Sequence, residues 1–387
     1  FTIIALLSLA ATASNNVQIG GAVSNVVKNS PFVITQFVSV MTILGLFIGA
    51  AFFNNAALRD YNNNFNEIIF STSLSKFGYF FGRFLGALVV ATIPLLGVFV
   101  GVILGTFIAP IMNWEDADRF GDFYVSAFVN NYFLFILPNM FFAGAIIYSM
   151  AIAWRSTVIS FVGAMVIIVA YLVSGTLMSD IDNEVLGALT DIFGIRTYSL
   201  TTKYYTTIDK NTLSPMFEGF LLLNRLVWVG IGILILAVSY FRFSFLEKKK
   251  KVKKEKGAKS IKPVTFSLPN ITPAFTSATE WIQFKSFFAI NFISIIKSIT
   301  FKILVIFSAI LLISSLWGGF EYFGLQSYPL TYEIIGAING STMMFLVIII
   351  VFFSGELIWR DRDSKINEVI DASPHTSLIS MAAKSLS

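Results

Sequence analysis

Long apolar runs alternate with short polar segments along most of this chain. A membrane-spanning α-helix needs about 20 mostly apolar residues, and seven runs come close to or exceed that length. They cover residues 33–53, 79–109, 128–153, 157–178, 219–241, 301–317 and 336–358. We therefore predict an all-α, polytopic bundle of transmembrane helices.

An eighth apolar stretch, residues 1–13, is too short to span a membrane alone. It ends in Ala-Thr-Ala, as the apolar core of a signal peptide does before its cleavage site. A signal peptide also has a basic leader, and this sequence begins directly at Phe1. We therefore expect residues 1–13 to be the end of a first helix, with the signal-peptide core as the alternative.

The composition agrees with a membrane protein. Hydrophobic residues make up 56% of the chain and charged residues 13%, whereas soluble domains are about 25% charged. The mean hydropathy is +0.77. The sequence has no Cys, which excludes disulfides, thiolate metal sites and Cys nucleophiles.

The basic residues predict the orientation of the helices, because Lys and Arg concentrate on the cytoplasmic side. One side holds 21 of the 27 basic residues. It comprises residues 54–78, 154–156, 242–300 and 359–387 with the adjoining helix ends. The opposite loops hold 12 of the 22 acidic residues, and they cover 14–32, 110–127, 179–218 and 318–335. We expect the basic side to be cytoplasmic.

A basic run begins the predicted cytoplasmic linker, residues 244–280. Its lysines are Lys248, Lys249, Lys250, Lys251, Lys253 and Lys254. Such a run binds either nucleic acid or anionic lipid. Because it follows a helix end, we predict a membrane-surface anchor and no nucleic acid. Residues 281–298 then form either an interfacial elbow helix or the lower part of the 301–317 span.

An internal repeat relates two predicted cytoplasmic segments at an offset of 301 residues. Arg59-Asp60 aligns with Arg360-Asp361, and Asn66-Glu67 aligns with Asn367-Glu368. Arg83 aligns with Lys384. Six of the 27 aligned positions between 59–85 and 360–386 are identical. Both segments follow a long apolar helix on the same side, so we predict a parallel repeat.

The repeat predicts how the chain is organised. Residues 1–243 form a first half with a short first helix and five spans. Residues 281–387 begin a second half with an elbow helix, two spans and a second cytoplasmic segment. We expect further spans after Ser387.

The first of these segments also has an amphipathic pattern. Leu58, Tyr61, Phe65, Ile68 and Thr72 are spaced three or four residues apart, which predicts one helical stripe. The second copy keeps part of the stripe at Trp359, Ile366, Val369 and Ile370. We predict a short amphipathic helix on the membrane surface in each copy.

The segment LRDYNNNFNEIIFSTSLSKFGYFFGRFLG, residues 58–86, resembles the permease of type 2 ABC exporters. The chain is similar to the Phe-rich fused permeases of Bacteroidota-like bacteria, in which a zinc aminopeptidase can follow two permease halves. Its first copy departs from the usual form, with Asn55 where the second copy has Glu356 and Ser73 where it has Pro374.

The resemblance implies a multi-pass protein of the bacterial inner membrane. In that family the cytoplasmic segment is a coupling helix that contacts a separate ABC ATPase, and ATP is bound by that partner. The implied coupling residues are Arg59, Asp60, Asn66, Glu67, Arg360, Asp361, Asn367 and Glu368. A second permease half or a second copy of the chain would complete the assembly, in contact with membrane lipid.

Motifs for catalysis or nucleotide binding are missing from this sequence. It has no Gly-rich Lys-Ser/Thr phosphate loop, no His-Glu-x-x-His and a single His, His375. We therefore expect a non-catalytic transport subunit without a cofactor of its own. The alternatives are the membrane anchor of a zinc aminopeptidase or other enzyme whose catalytic domain follows Ser387, and a sensor or assembly scaffold. The sequence leaves the substrate open.

Four polar residues in predicted spans are candidates for a substrate path, because ionisable and polar residues inside a membrane are commonly functional. They are Asn130, Asn131, Asn139 and Arg225. The alternatives are hydrogen bonds between helices for the Asn residues, and for Arg225 a surface position paired with Glu218 or lipid phosphate.

Two further patterns predict packing. Gly82, Gly86, Gly97, Gly101 and Gly105 recur along one helix, which is typical of close helix contact. In the loop 179–218, Leu186, Leu189, Ile192 and Phe193 share a helical face and Asp182, Asn183 and Asp191 lie off it. We predict that this loop is an ordered outer cap, with a disordered polar loop as the alternative.

Overall fold

The computed structural model of the chain describes residues 1–177, 184–245, 277–317, 320–322, 325–328, 330–363, 366–371 and 376–387. These residues are mostly α-helical, which confirms the predicted class. They divide into two compact units. The first contains the described residues of Phe1–Phe245 and Trp317–Tyr328, and the second those of Leu246–Leu316 and Pro329–Ser387.

The first unit is built from eleven described α-helices. They are α1 Thr2–Ala13, α2 Pro31–Asn62, α3 Asn66–Phe70, α4 Lys76–Ile111, α5 Val125–Asn131, α6 Leu137–Trp154, α7 Thr157–Leu177, α8 Glu184–Leu189, α9 Ile195–Thr201, α10 Thr207–Thr212 and α11 Gly219–Arg242. A short antiparallel hairpin, β1 Phe320–Tyr322 and β2 Leu325–Ser327, also belongs to it.

The second unit contains five described helices. They are α12 Ser277–Lys297, α13 Ile299–Trp317, α14 Thr331–Asp363, α15 Asn367–Asp371 and α16 Ser377–Leu386. Across the described residues of both units, seven helical segments are long and apolar enough to cross a membrane, and each coincides with one of the predicted runs. The chain is therefore a multi-pass membrane protein.

Helix α2 begins at a side-chain cap and ends at a left-handed residue. The Ser30 hydroxyl accepts a hydrogen bond from Val33 N, and Pro31 occupies the first helical turn, where its missing N–H costs nothing. At the other end, Asn64 has φ of 56°, which a right-handed helix does not allow. At 32 residues, α2 is about 48 Å long, longer than the roughly 30 Å hydrocarbon core.

This break corrects the predicted amphipathic stripe. Leu58 and Tyr61 belong to α2, with Leu58 buried, whereas Phe65 and Ile68 lie beyond the turn and are exposed. The stripe therefore spans two helices that are joined by a sharp turn. The apolar spacing in the sequence runs through residues 63–65, but the helical backbone is interrupted there.

Helix α1 packs against the glycine face of α4. A Cβ at Gly97 would lie 2.7 Å from Phe1 O, and one at Gly105 would lie 2.7 Å from Thr12 Cβ. The glycines thus let the two backbones approach closely. Gly82 and Gly86, nearer the start of α4, have nothing within 4 Å of the Cβ position, so only part of the glycine row serves this contact.

Helices α12 and α13 are separate elements. The chain leaves helical geometry at Ser298, whose hydroxyl accepts a hydrogen bond from Phe301 N at 3.1 Å. Residues 281–298 were expected to be either a separate elbow helix or the lower part of the 301–317 span. The structure has a separate helix there.

Three loops at the acidic end of the first unit are joined by hydrogen bonds. Asn29 exchanges two hydrogen bonds of 2.7 Å with the Gly121 backbone. Asn211 donates to Asn25 O and accepts from Val27 N. We call residues 14–30, 112–124 and 184–218 together the outer cap; these residues contain short helices and are joined by the hydrogen bonds above. The order of the predicted cap, residues 179–218, stays a prediction.

A buried ion pair adds to these contacts, because Lys28 bonds Glu115 with both side chains almost fully enclosed. The helix predicted from Leu186, Leu189, Ile192 and Phe193 differs from the observed one. Helix α8 stops at Leu189, Leu186 is exposed, and Asp191 is fully buried instead of facing solvent.

Several predicted features lie outside the described residues. They include the basic run Lys248, Lys249, Lys250, Lys251, Lys253 and Lys254, and also Asp182, Asn183, Pro374 and His375.

Candidate functional site

The chain between α2 and α4, residues 63–75, is the first connecting segment. It contains the five-residue helix α3 and leads to Ser75, whose hydroxyl caps α4 by accepting from Gly78 N at 3.1 Å. Phe65 N donates to Asp60 O at 2.8 Å, which closes the turn after α2. The segment is therefore a compact turn between two long helices.

The second connecting segment, residues 364–376, joins α14 to α16 and contains α15. Ile366 N donates to Asp361 O at 3.0 Å. The ends of the elements match the first unit at a spacing of 301 residues. Asn62 and Asp363 end the long helices, and Lys76 and Ser377 begin the next ones. Helices α3 and α15 begin and end at aligned residues.

Both segments expose one acidic and one large apolar side chain at aligned positions. Glu67 and Glu368 are exposed. Phe65 is 55% exposed and Ile366 is 45% exposed. Since a helix of only five residues has little stability of its own, these side chains depend on the helices that flank the segment for their position.

The other predicted coupling residues differ in accessibility. Arg59 is exposed, whereas Asn66 is buried and Asn367 half-buried. Arg360 is half-buried and its Nη1 donates to Ser294 Oγ on α12 at 2.5 Å.

Asp60 faces the interior of its own unit. Its carboxylate accepts a hydrogen bond from Tyr79 Oη at 2.9 Å and pairs with Arg83 Nη2 at 2.5 Å. Asp361 likewise pairs with Lys384 at 2.5 Å. Each of these carboxylates is thus paired within its own unit, and their contact with an ATPase stays a prediction.

Aromatic rings pack around Tyr79, the hydrogen-bond donor to Asp60. Phe70 of α3 lies 5.5 Å from the Tyr79 ring and 4.8 Å from the Phe245 ring. Tyr79 also stacks on Phe243 with centroids 5.8 Å apart. Such contacts join α3, α4 and the chain that follows α11, and each ring pair typically contributes about 0.5–1.5 kcal/mol beyond the area that it buries.

A second polar cluster lies inside the first unit around Arg225 of α11. Arg225 is 3% exposed, and its guanidinium donates to Asn139 Oδ1 at 2.7 Å and to Asn224 Oδ1. Asn139 in turn donates to Thr42 Oγ1 at 2.9 Å and to Phe193 O at 3.1 Å. The cluster thus links α2, α6, α11 and the outer cap.

A proline explains part of this arrangement. Pro138 has no N–H to donate to Leu134 O, four residues earlier, and a π-helical turn, Tyr132–Ile136, precedes it. Arg225 Nη1 lies 3.5 Å from Leu134 O and supplies a donor there. The alternative of a surface Arg225 paired with Glu218 does not fit, since Glu218 is exposed and Arg225 is enclosed.

Asp191 organises the part of the cap that covers this cluster. Its carboxylate accepts from Phe193 N at 3.1 Å, Arg196 N at 2.6 Å and Thr197 N at 3.3 Å. Burial raises the pKa of Asp191 above its ordinary value of 3.8, while Arg225 and the backbone N–H groups oppose that shift. Asn224 donates to Asp191 O at 2.9 Å and so ties the cap to α11.

The candidate path residues are thus occupied by contacts within the unit. Asn131 donates to Thr35 Oγ1 at 3.0 Å, and Asn130 donates to Pro215 O at 2.8 Å. The Asn131 bond to α2 is of the helix–helix kind that the alternative predicted, whereas the Asn130 bond goes to the outer cap. Asn130 is half-buried, so it alone of the four is partly accessible.

Sequence reasoning missed three residues of these sites. Tyr79 and Asn224 lay inside apolar runs, and Asp191 was assigned to a solvent-facing side. A polar residue inside an apolar run was a usable signal for Asn224. For Asp191, the Gly194 that follows it was the only local sign of a tight turn, and Gly194 has φ of 82°.

Among the described residues, no group of three or more His, Asp or Glu side chains lies close enough together to hold a metal ion.

No protein family model, no curated protein and no solved structure matches this chain.

Proposed function

We propose that this chain is the membrane-spanning permease component of an ATP-driven exporter, and that its two connecting segments bind a separate ABC ATPase. The chain would form the substrate path in the inner membrane of a bacterium. The observation that carries the proposal is the pair of matched segments, which begin, turn and end at positions 301 residues apart. We infer that they belong to a parallel internal repeat.

The chemistry of the segments suits a protein contact. Each presents an exposed carboxylate, Glu67 or Glu368, next to an exposed apolar side chain, Phe65 or Ile366. Apolar side chains at the centre of an interface supply most of its binding energy, and charges at the rim direct association. Two copies of the same surface suit two ATPase subunits that act together.

The mechanism requires the two conformations of the permease to bind the ATPase differently, because a partner shifts an equilibrium only through its differential affinity. Closure of the ATPase pair would press on both segments and change which side of the membrane the path faces. The segments follow α2 and α14, which are long enough to cross the membrane. A displacement of a segment would therefore move a helix that reaches the opposite side.

The experiment is charge reversal at Glu67 and Glu368 together. If both acids contact the ATPase, co-purification of the ATPase and its stimulated turnover fall in the double Glu→Lys variant, while the permease still inserts. Loss of a buried charge contact costs about 2–5 kcal/mol, and loss of a rim contact costs much less.

A matched control is Glu280→Lys, because Glu280 is an exposed acid of α12 outside both segments. It is expected to leave association unchanged. Unchanged association and turnover in the double variant would leave the docking proposal without support.

A further inference from the structure

A cleft of about 490 Å³ lies on the first unit between the end of α1, the outer cap and the first three turns of α2. Ligand pockets in proteins commonly have volumes of about 300–1,000 Å³. One wall is residues 17–21 of the cap, and the other is α2, through Phe32, Gln36, Phe37, Val40 and Met41. These residues are separate from the Arg225 cluster and from the connecting segments.

Contacts behind the cap wall fix its shape. Gly20 has φ of 52° and lies directly against α2, because a Cβ on it would collide with Val33 O. Ile19 is 4% exposed, and its carbonyl accepts a hydrogen bond from Ala22 N at 2.9 Å. Arg119 of the neighbouring loop donates to Ala22 O at 2.8 Å. The wall is therefore held from both sides.

The side chains of the cleft change from polar to apolar along α2. Gln36 lies near the cap and donates to Ser199 Oγ at 3.3 Å, whereas Val40 and Met41 lie one turn deeper. Met41 is eight residues beyond the start of the predicted span 33–53, or about 12 Å along the helix. One leaflet of hydrocarbon is about 15 Å deep. The cleft therefore extends through most of one leaflet.

A lysine lies at the polar end of the cleft. The Nζ atom of Lys210 in α10 is 5.0 Å from the centre of the Phe32 ring, which belongs to the α2 wall. Lys210 forms no ion pair with any residue that the structure describes. Its neighbour Asp209 caps α10 instead, by accepting from Thr206 N at 3.0 Å. The cleft thus combines a cation at its polar end with an apolar groove below.

The cleft is open on the side that faces lipid. Val17 on the cap wall is 41% exposed and Val40 on the α2 wall is 45% exposed. Because Val40 lies within a predicted span, a molecule can enter from the bilayer without passing through the cap. A soluble anion would match Lys210 and leave the apolar wall uncovered, whereas a lipid with an anionic headgroup matches both ends.

We propose that this cleft binds one anionic lipid from the leaflet on the cap side, with an acyl chain along Val40 and Met41 and the headgroup at Lys210. Burial of the chain supplies the affinity, and the lysine favours a negative headgroup. The inference goes beyond the proposed transport function and does not depend on the ATPase contact.

Photocrosslinking locates the site directly. The full chain is placed in phosphatidylcholine nanodiscs with a trace of phosphatidylglycerol that carries a diazirine in the middle of one acyl chain. Crosslinks are expected in residues 17–21 and 36–41 at several times the level found at Leu226 and Leu234, which are exposed on α11. Equal labelling of the cleft and of α11 would show bulk lipid contact only and would overturn the proposal.

A bulky side chain in the cleft tests the acyl-chain position. Val40→Trp is expected to raise the Kd for phosphatidylglycerol by at least about tenfold, the effect of displacing two buried methylene groups. Native mass spectrometry of the protein in detergent measures this Kd. Leu44→Trp is the matched control, because Leu44 lies one turn further along α2, is 52% exposed and is outside the cleft. Equal Kd values for the two variants contradict the proposal, and the crosslinking test remains decisive if Val40→Trp does not fold.

The headgroup position has its own variant. Lys210→Gln is expected to reduce the preference for phosphatidylglycerol over phosphatidylcholine by about fivefold. Lys203→Gln, at another lysine of the cap that is exposed, is expected to leave the preference unchanged. Glycerol phosphate, which is the headgroup without its chains, is expected not to compete. Competition by glycerol phosphate, or the same preference in both variants, would refute an anionic lipid site.

Discussion

Arg225 and Asn139 meet inside the first unit, with the Arg225 Nη1 atom 2.7 Å from Asn139 Oδ1. The two residues are 86 positions apart in the chain. Their contact joins α11 to α6 next to the π-helical turn. It therefore places a permanent positive charge in the interior of a transmembrane bundle, where its bonding partners stabilise it.

Replacement of Arg225 by Met is expected to destabilise the first unit by about 3–5 kcal/mol, because it leaves Asn139, Asn224 and the carboxylate of Asp191 without their donor or counter-charge. Thermal unfolding of the purified protein in detergent measures the loss. Arg242→Met is the matched control, since Arg242 is exposed on the same helix. Equal unfolding temperatures for the two variants would contradict the assignment.

Asp191 is expected to make the stability of the outer cap depend on pH. Because burial raises its pKa in the folded protein above the ordinary 3.8, the folded state keeps this proton to a higher pH than the unfolded chain does. Stability from this group is therefore full below about pH 4 and is lost as pH rises through the raised pKa.

The measurement compares the unfolding temperature of the unmodified protein and Asp191→Asn between pH 4 and pH 8. The unmodified protein is expected to lose more stability across this range than the variant, which cannot ionise. Parallel curves, or a steeper loss in the variant, would show that Asp191 does not titrate in this way.

The contact between α1 and α4 depends on the absence of a side chain at Gly101. A Cβ there would lie 2.3 Å from Ala5 O. Gly101→Leu is expected to displace α1 and to cost about 1–3 kcal/mol or more through overpacking, measured by thermal unfolding. Gly86→Leu on the same helix meets nothing within 4 Å and is expected to leave stability unchanged. Similar losses in both variants would argue against the packing role.

The orientation predicted from the basic residues is testable with single Cys residues, because the chain has none. Cys at Asn63 is expected to resist a membrane-impermeant thiol reagent in intact cells, and Cys at Asp118 or Thr206 is expected to react. All three positions are exposed, so all should react once the cells are permeabilised. Labelling at position 63 from outside intact cells would reverse the orientation.

The sequence alone was enough to predict the class and the spans. Hydropathy is a property of each local run, and a run of about 20 apolar residues has few stable states other than a membrane-spanning helix. All seven predicted runs are long apolar helices in the structure. The glycine row of α4 likewise indicated a close helix contact, because small residues permit one, but it did not indicate that α1 is the partner or that only Gly97, Gly101 and Gly105 take part.

The tertiary structure decided which polar groups are available. Asp60 and Glu67 read alike in the sequence, yet Asp60 is enclosed by Tyr79 and Arg83 while Glu67 is exposed. Asp191 was expected at the surface and is buried under backbone N–H groups. The physical reason is that burial and ion pairing depend on residues brought together from distant parts of the chain, such as Arg225 with Asn139, and a local pattern carries no information about those partners.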